Sequence, residues 1–252
     1  MLSAPLVDLI GTPLLVTDYD TLRSDLLTAS RAGKTMCVDF SNTHIVTARR
    51  HDPAFRATTA CFDAFVPDGM PLVWCMNARG AKLKDRIYGP TFTRRFLASS
   101  PREVRHYFLG GSVVCLEKMI KNMRALNPDL QVAGTQHGYF RPNDEPAIVS
   151  AVAEAGADFL WVGLGTPKQQ EWIDRNRACF PGLIILAVGF AFDVNAGLKK
   201  DAPIWMQRIG LTWLFRMLSE PRRLFGRYVY FNSLFIYYLL RDSLLPSFWS
   251  RK

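Results

Sequence analysis

Asp68 follows a short apolar run, Phe62 to Val66, within the turn Pro67-Asp68-Gly69, and a helical pattern starts directly after it at Pro71. A carboxylate at such a strand-to-helix junction has two uses. It caps the helix and sits well at its positive end, the use that spacing alone favours, or it faces a bound ligand. Asn42 stands at a second junction of this kind, after the predicted strand Thr35 to Phe40, as either a helix cap or a hydrogen-bonding group for a ligand. Two more junctions lie in Phe159 to Asp193. There an apolar run to Val162 ends in Gly163-Leu164-Gly165-Thr166-Pro167, and Leu183 to Val188 ends in Gly189-Phe190-Ala191-Phe192-Asp193. Thr166 is expected as an N-cap with Pro167 at the first helical position. With Gly165 admitting close backbone approach, the free N–H groups there suit an anionic or carbonyl-rich ligand. Lys168 and Gln169 add a cation and an amide, and adjacent strands would bring Gln169 and Asp193 to one rim.

A strand over Val104 to Leu109 leads through Gly110-Gly111-Ser112 into a helix over Val113 to Leu126, an arrangement that serves phosphate binding or merely a tight connection. His137 lies in a glycine-flanked turn as either a nucleotide contact or a structural histidine. Arg86 is read as a phosphate contact or, equally, as a solvated surface cation. From Lys199 onward the chain has ten basic and three acidic residues, a surplus of seven within a formal net charge of +9. Arg223 and Arg227, four apart, share a helix face and with Arg216 and Arg222 could grip a diphosphate.

The elements that must hold these groups follow from the pattern. Over 1–197, strands alternate with helices, which predicts an α/β fold with a Rossmann-like, doubly wound, mostly parallel sheet. The N-terminal part is expected to hold one strand around Leu14 to Thr17 and a helix through Leu22, Leu26 and Leu27, and its apolar piece is not a signal peptide. Five unpaired-looking cysteines fit buried thiols and argue against zinc. Over 198–252 the pattern becomes a basic, amphipathic helical appendage, divided at Pro221 and rich in aromatics from Trp205 to Trp249. Tyr228 to Leu240 is too short and polar to span a bilayer. Nucleic-acid binding would not need so many aliphatic residues at helical spacing, so a peripheral membrane surface is expected, with Phe231, Phe235 and Tyr238 as the lipid-facing side. Oligomer packing is the competing use for those aromatics.

The blocks GLGTPKQQEWI, VGFAFDVNAG and APIWMQRIGLTWLFRMLSEPRRLFGRY, with the upstream Pro67-Asp68-Gly69, resemble the WecG/TagA/CpsF glycosyltransferases, glycosyltransferase family 26. The likeness runs from Cys37 to Tyr228. It implies inverting transfer of a hexose or N-acetylhexosamine from a UDP-sugar to an undecaprenyl diphosphate-linked sugar, in exopolysaccharide, capsule or teichoic acid synthesis. The place of action would be the cytoplasmic face of the inner membrane. It implies Asp68 as general base assisted by Asn42. Gly110, Gly111, His137, Gly165, Lys168, Gln169, Asp193, Arg216, Arg222, Arg223 and Arg227 would contact substrates, with no metal cofactor. Four positions depart from the family pattern: Phe40 for Thr, Thr91 for an acid, Gln170 for Glu and Thr212 for Glu. Ser41 or Thr43 would then have to supply the hydroxyl missing at Phe40. These departures keep open a catalytically idle paralogue that only binds sugar nucleotides or scaffolds at the membrane.

Overall fold

A computed structural model describes residues 4–244 of the chain. The chain starts with two short strands, β1 (Leu6–Leu9) and β2 (Thr12–Leu15), then α1 (Tyr19–Arg31), β3 (Met36–Ser41), α2 (Thr43–His51), α3 (Pro53–Thr58), β4 (Ala64–Pro67) and α4 (Met70–Asn77). The second half of the sheet uses β5 (Arg105–Gly110), β6 (Gln131–Gln136), β7 (Phe159–Gly163) and β8 (Ile184–Ala187). Between α4 and the end of the sheet lie α5 (Gly89–Ala98), α6 (Val113–Leu126), α7 (Glu145–Glu154) and α8 (Lys168–Asn176), and α9 (Ala191–Asn195) follows β8. The appendage consists of α10 (Ile204–Arg208), α11 (Thr212–Ser219) and α12 (Pro221–Leu244).

The eight strands run in the order β1-β2-β4-β3-β8-β7-β5-β6, all parallel except the β1–β2 pair. Side-chain alternation divides the core in two. Met36, Val38, Phe40, Trp161 and Leu186 pack on one face, while Cys37, Leu160, Val162 and Ile185 pack on the other. Both faces are covered by helices, as the near-continuous apolar strands require.

Two expectations about local structure are corrected. The N-terminal part holds a β-hairpin instead of one strand, because Ile10 and Gly11 form a two-residue turn with φ of 47° and 84°. Such a turn matches strand twist, but isoleucine is an uncommon residue for it and hides the signal. Thr166 caps nothing. The helix begins one residue later than expected, with Pro167 at its N-cap and a cis Thr166–Pro167 bond before it.

The appendage divides at Pro221 as expected, and no helix among the described residues is long and apolar enough to cross a membrane. Its long helix lies against α2 by a largely polar seam. Thr43 donates to Asn232 at 3.0 Å, Arg50 pairs with Asp242 at 3.2 Å, and His51 lies between the hydroxyls of Tyr230 and Tyr238, each 2.9 Å away. The expected lipid-facing side is therefore the inward side. Phe235 and Tyr238 are buried in the core and Phe231 packs on Ile45, Ala48 and Phe55. The outward residues are Phe225, Val229, Ile236, Tyr237 and Leu240. Of the aromatic and basic tail residues, Phe248, Trp249, Arg251 and Lys252 lie outside the described residues.

Candidate active site

Six parallel strands end at one cavity of about 420 Å³. Phe40 and Asn42 reach it from β3, Asp68 from β4, Gly111 from β5, Gly138 from β6, the Gly163–Gln169 turn from β7, and Val188 to Asp193 from β8. This is the position that an open parallel sheet gives to ligands, beyond the carboxyl ends of its strands. The appendage forms the opposite wall with Lys199, Arg216, Arg223 and Arg227. A smaller cavity of about 60 Å³ adjoins it and shares Asn42, Asp68, Phe190 and Arg216.

Asp68 sits between the two cavities. Its backbone is fixed by donation of its N–H to the Ser41 carbonyl at 2.7 Å, and its Oδ1 is buried without a hydrogen-bond partner among the described residues. It caps no helix, since α4 starts from Gly69 with no side-chain cap. Burial pushes its carboxyl up to about 7, against the pull of Arg86, the Gly89 amide and Arg216 and with a further push from Asp39. Such a carboxyl is half ionised near neutral pH, the range in which a general base works best.

Asn42 does cap α2. Its Oδ1 accepts from the N–H groups of His44 and Ile45 at 3.0 and 3.3 Å, while its amide nitrogen donates to no described residue. Asn42 is thus held rigidly at the boundary of both cavities. Neither proposed replacement for the missing hydroxyl at Phe40 is free. Ser41 donates to Asp39 at 2.5 Å and Thr43 donates to Asn232. Phe40 itself packs on Phe92 with ring centroids 5.0 Å apart.

In the β7 turn, Gln169 is buried, and its Oε1 takes the Gly165 N–H at 3.2 Å, so that amide is not open to a ligand. Gly165, Lys168 and Gln169 all line the cavity. Asp193 lines it as well, pairing with Lys199 at 3.6 Å and accepting from the Cys115 thiol at 3.7 Å. Of the two glycines after β5, Gly111 faces the cavity. Gly110 serves strand packing, because a Cβ there would collide with the Gly163 backbone. His137 is not among the lining residues. Its Nδ1 accepts from the Tyr139 N–H, and its neighbours Gly138 and Tyr139 line the cavity instead.

Among the arginines, Arg216, Arg223 and Arg227 line the main cavity, whereas Arg222 is exposed and outside it. The Arg227 Nε is buried without a hydrogen-bond partner among the described residues, and Arg216 lies over the Phe190 ring at 3.5 Å. Arg86 is not the solvated cation that its surroundings in the sequence suggest. It is 5% exposed, donates to Thr212 at 3.1 Å and Gln207 at 3.2 Å, and so fastens the appendage beside Asp68. Thr91 lines no described cavity, so no contact with donor or acceptor is placed on it.

Sequence reasoning passed over two residues here. Asp39 is a fully buried carboxyl held by Ser41 and by Gln170 Nε2 at 2.7 Å, and burial raises it to about 6. A single acid inside the run Met36 to Phe40 was the available signal. His44 lines the cavity, packs on Phe231 with ring centroids 4.1 Å apart and planes tilted by 54°, and is held neutral at about 4 by burial and by Arg227.

The sequence matches the glycosyl transferase WecG/TagA/CpsF family over residues 7–247. Two relatives are N-acetylglucosaminyldiphosphoundecaprenol N-acetyl-beta-D-mannosaminyltransferases. The one from Bacillus spizizenii is 29% identical over 173 residues, 68% of this chain and 66% of its own length. The one from Bacillus subtilis is 29% identical over 159 residues, 63% of this chain and 61% of its own. The chain therefore spans just under two thirds of the relatives it matches.

Proposed function

Since the chain belongs to the WecG/TagA/CpsF family of glycosyl transferases, we propose that it moves a hexose or N-acetylhexosamine, with inversion, from a UDP-sugar to a sugar carried on undecaprenyl diphosphate. The activity for which both relatives are named, transfer to N-acetylglucosaminyldiphosphoundecaprenol, supports this acceptor class. The step belongs to cell-surface polysaccharide synthesis, with the protein peripheral to the cytoplasmic face of the inner membrane. The observation that carries the reading is the pairing across one cavity of two unsatisfied buried groups, Asp68 Oδ1 and Arg227 Nε. One is a carboxylate able to accept a proton; the other is a cation turned toward bound negative charge.

In this mechanism the acceptor hydroxyl gives its proton to Asp68 as its oxygen attacks the anomeric carbon. The bond from that carbon to the donor phosphate breaks, and UDP leaves with the negative charge. Arg216, Arg223 and Arg227 stabilise that charge as it develops, which is electrostatic catalysis by preset cations in a partly dry site and needs no metal. Gln169, Lys168 and the amides near Gly111 hold the donor. Asn42 orients the acceptor through its unused amide nitrogen.

A panel of UDP-sugars with an undecaprenyl diphosphate-linked N-acetylglucosamine acceptor tests the proposal. Transfer with one donor is expected, and Asp68→Asn should lower turnover by ~10²-fold or more with UDP affinity nearly unchanged. Tight UDP binding without UDP release from any donor would instead identify an idle, sugar-nucleotide-binding paralogue.

A further inference from the structure

A third cavity, about 300 Å³ in volume, opens between the segment after α9 and helix α11. Lys199, Lys200 and Arg216 supply three cations against the single carboxylate of Glu220, and Phe190 and Phe215 supply aromatic wall. Phe190 and Arg216 also line the main cavity and the small cavity beside Asp68. The Arg216 guanidinium, stacked on Phe190, is thus a partition common to all three spaces. On the outer side, Phe215, Leu218 and Ser219 lie three and four residues apart on one strip of α11, and Leu218 is 67% exposed. The cavity therefore sets three cations beside a half-buried aromatic wall, with the exposed Leu218 next to it.

We propose that this third cavity binds the diphosphate and first isoprenyl unit of the acceptor, separately from the donor's diphosphate. The inference rests on the glycosyl transfer reading above. Transfer brings two diphosphates to one centre, and each needs cations. The main cavity offers the donor the glycine turn at Gly111 with Lys168, Gln169, Arg223 and Arg227, and at about 420 Å³ it is the largest of the three. An acceptor sugar with its hydroxyl at Asp68 lies against the Phe190–Arg216 partition, and the group attached to its anomeric carbon passes into the third cavity. There Lys199, now held by Glu220 at 2.9 Å and Asp193 at 3.6 Å, exchanges Glu220 for phosphate. Phe215 and the exposed Leu218 of α11 then receive the lipid where it leaves the protein. Lys200, exposed and lining this cavity alone, belongs to the acceptor side only.

The test uses the full chain saturated with UDP, and farnesyl diphosphate as the calorimetric probe. Farnesyl diphosphate should bind alongside UDP. Lys200→Glu, and independently Ser219→Glu, should weaken it by about tenfold, the order expected when one partly exposed charge beside a phosphate is reversed or added. Both changes lie on exposed positions and should leave UDP affinity unchanged. Lys168→Ala should do the opposite, weakening UDP and sparing farnesyl diphosphate. Inorganic pyrophosphate, which leaves the aromatic walls unfilled, should bind at least ~10-fold more weakly than the prenyl compound. In turnover, Lys200→Glu should raise the acceptor KM without changing the donor KM or kcat. Competition between farnesyl diphosphate and UDP, indifference to both Lys200→Glu and Ser219→Glu, or equal affinity for pyrophosphate would each overturn the assignment. Absence of transfer by the wild-type chain, with prenyl diphosphate binding still lost in Lys200→Glu, would defeat the transferase reading and leave the cavity's ligand standing.

Discussion

The sheet rim and the helical cover build opposite walls of one site by different means. On the rim, β7 and β8 are buried almost throughout, and Asn42, Gln169 and Asp193 are locked by neighbours. Asn42 is fixed by the first turn of α2, Gln169 by Gly165, and Asp193 by Lys199 and Cys115. The cover from residue 198 to 244 buries little besides Ala202, Thr212, Leu224, Phe235 and Tyr238. It is tied down by a few polar contacts, among them Arg86 to Thr212, Tyr88 to Asp201 at 2.7 Å, and the α2–α12 seam. The rim supplies geometry at high local stability, and the cover supplies charge at low local stability. Regions of the second kind are the ones that open for ligands.

The largest effect should come from removing the cover. A chain ending after Gly197 should keep a folded α/β far-UV circular dichroism, less the helical signal of α10, α11 and α12, because the sheet has helices on both faces, but should show no transfer once Arg216, Arg223 and Arg227 are gone. Its melting temperature should fall, since burial of Leu224, Phe235 and Tyr238 is lost at ~1.5–3 kcal/mol each. Full activity on a water-soluble acceptor would show that the cover is an anchor with no part in the chemistry.

A single cation on that wall should have the next largest effect. Arg223→Ala should lower kcat by ~10²-fold, comparable to removing one preset donor to a developing anion. Arg223 pairs with Glu220 at 2.6 Å and is half exposed, so little stability should go with it. Liposome binding should weaken by only ~1 kcal/mol, the usual share of one basic residue near an anionic surface. Unchanged kcat would remove Arg223 from the leaving-group role.

The two sides of α12 separate lipid contact from packing. Replacing the outward Phe225, Ile236 and Leu240 by Ser should reduce liposome binding and spare activity on a soluble acceptor. The same change at the inward Phe231, Phe235 and Tyr238 should instead lower the melting temperature, because those side chains fill the core and the Ile45–Phe55 cluster. If liposome binding survives the outward triple change, a second copy of the chain becomes the better occupant of that face.

The sequence of α12 does not distinguish its inward from its outward side. Its apolar residues occur on both sides, Phe225 and Leu240 outward and Phe235 inward, so periodicity finds a helix without finding its partner. The partner is α2, nearly two hundred residues earlier, and the bonds between them are polar. The sheet was legible because strands such as Ile184–Ala187 are buried on both faces and need no alternation. The junction residues Asp68, Gln169 and Asp193 were legible because strand ends in a parallel sheet converge. Asp39 was not, since its significance depends on Gln170 of a different helix reaching it across the sheet end.

Asp39 also gives the smallest and most specific prediction. The groups acting on Asp68 come from several elements: Arg86 and the Gly89 amide before and at the start of α5, Arg216 from α11, Asp39 from β3, and the hydroxyls of Tyr19 and Tyr88. A base must be ionised to act, so kcat/KM should rise with pH through about 7. Asp39→Asn removes a like charge. Its side-chain oxygen can still accept from Gln170 and its nitrogen can donate to Ser41, so the turn should hold. The acidic limb of the profile should then move to lower pH by ~0.5 unit, the order expected for one like charge across a partly hydrated interior. Stability supplies an independent reading. The buried Asp39 keeps its proton up to about 6 while the unfolded chain releases it near 3.8, so the folded state binds more protons between those values. Wild-type stability should therefore lose this contribution as pH rises from about 4 to 6. The Asn variant lacks that loss, and its melting temperature relative to wild type should be higher at pH 7 than at pH 4. An acidic limb that stays in place, with the stability difference moving as stated, would mean that Asp39 is buried for the turn alone and that Asp68 owes its proton affinity to desolvation.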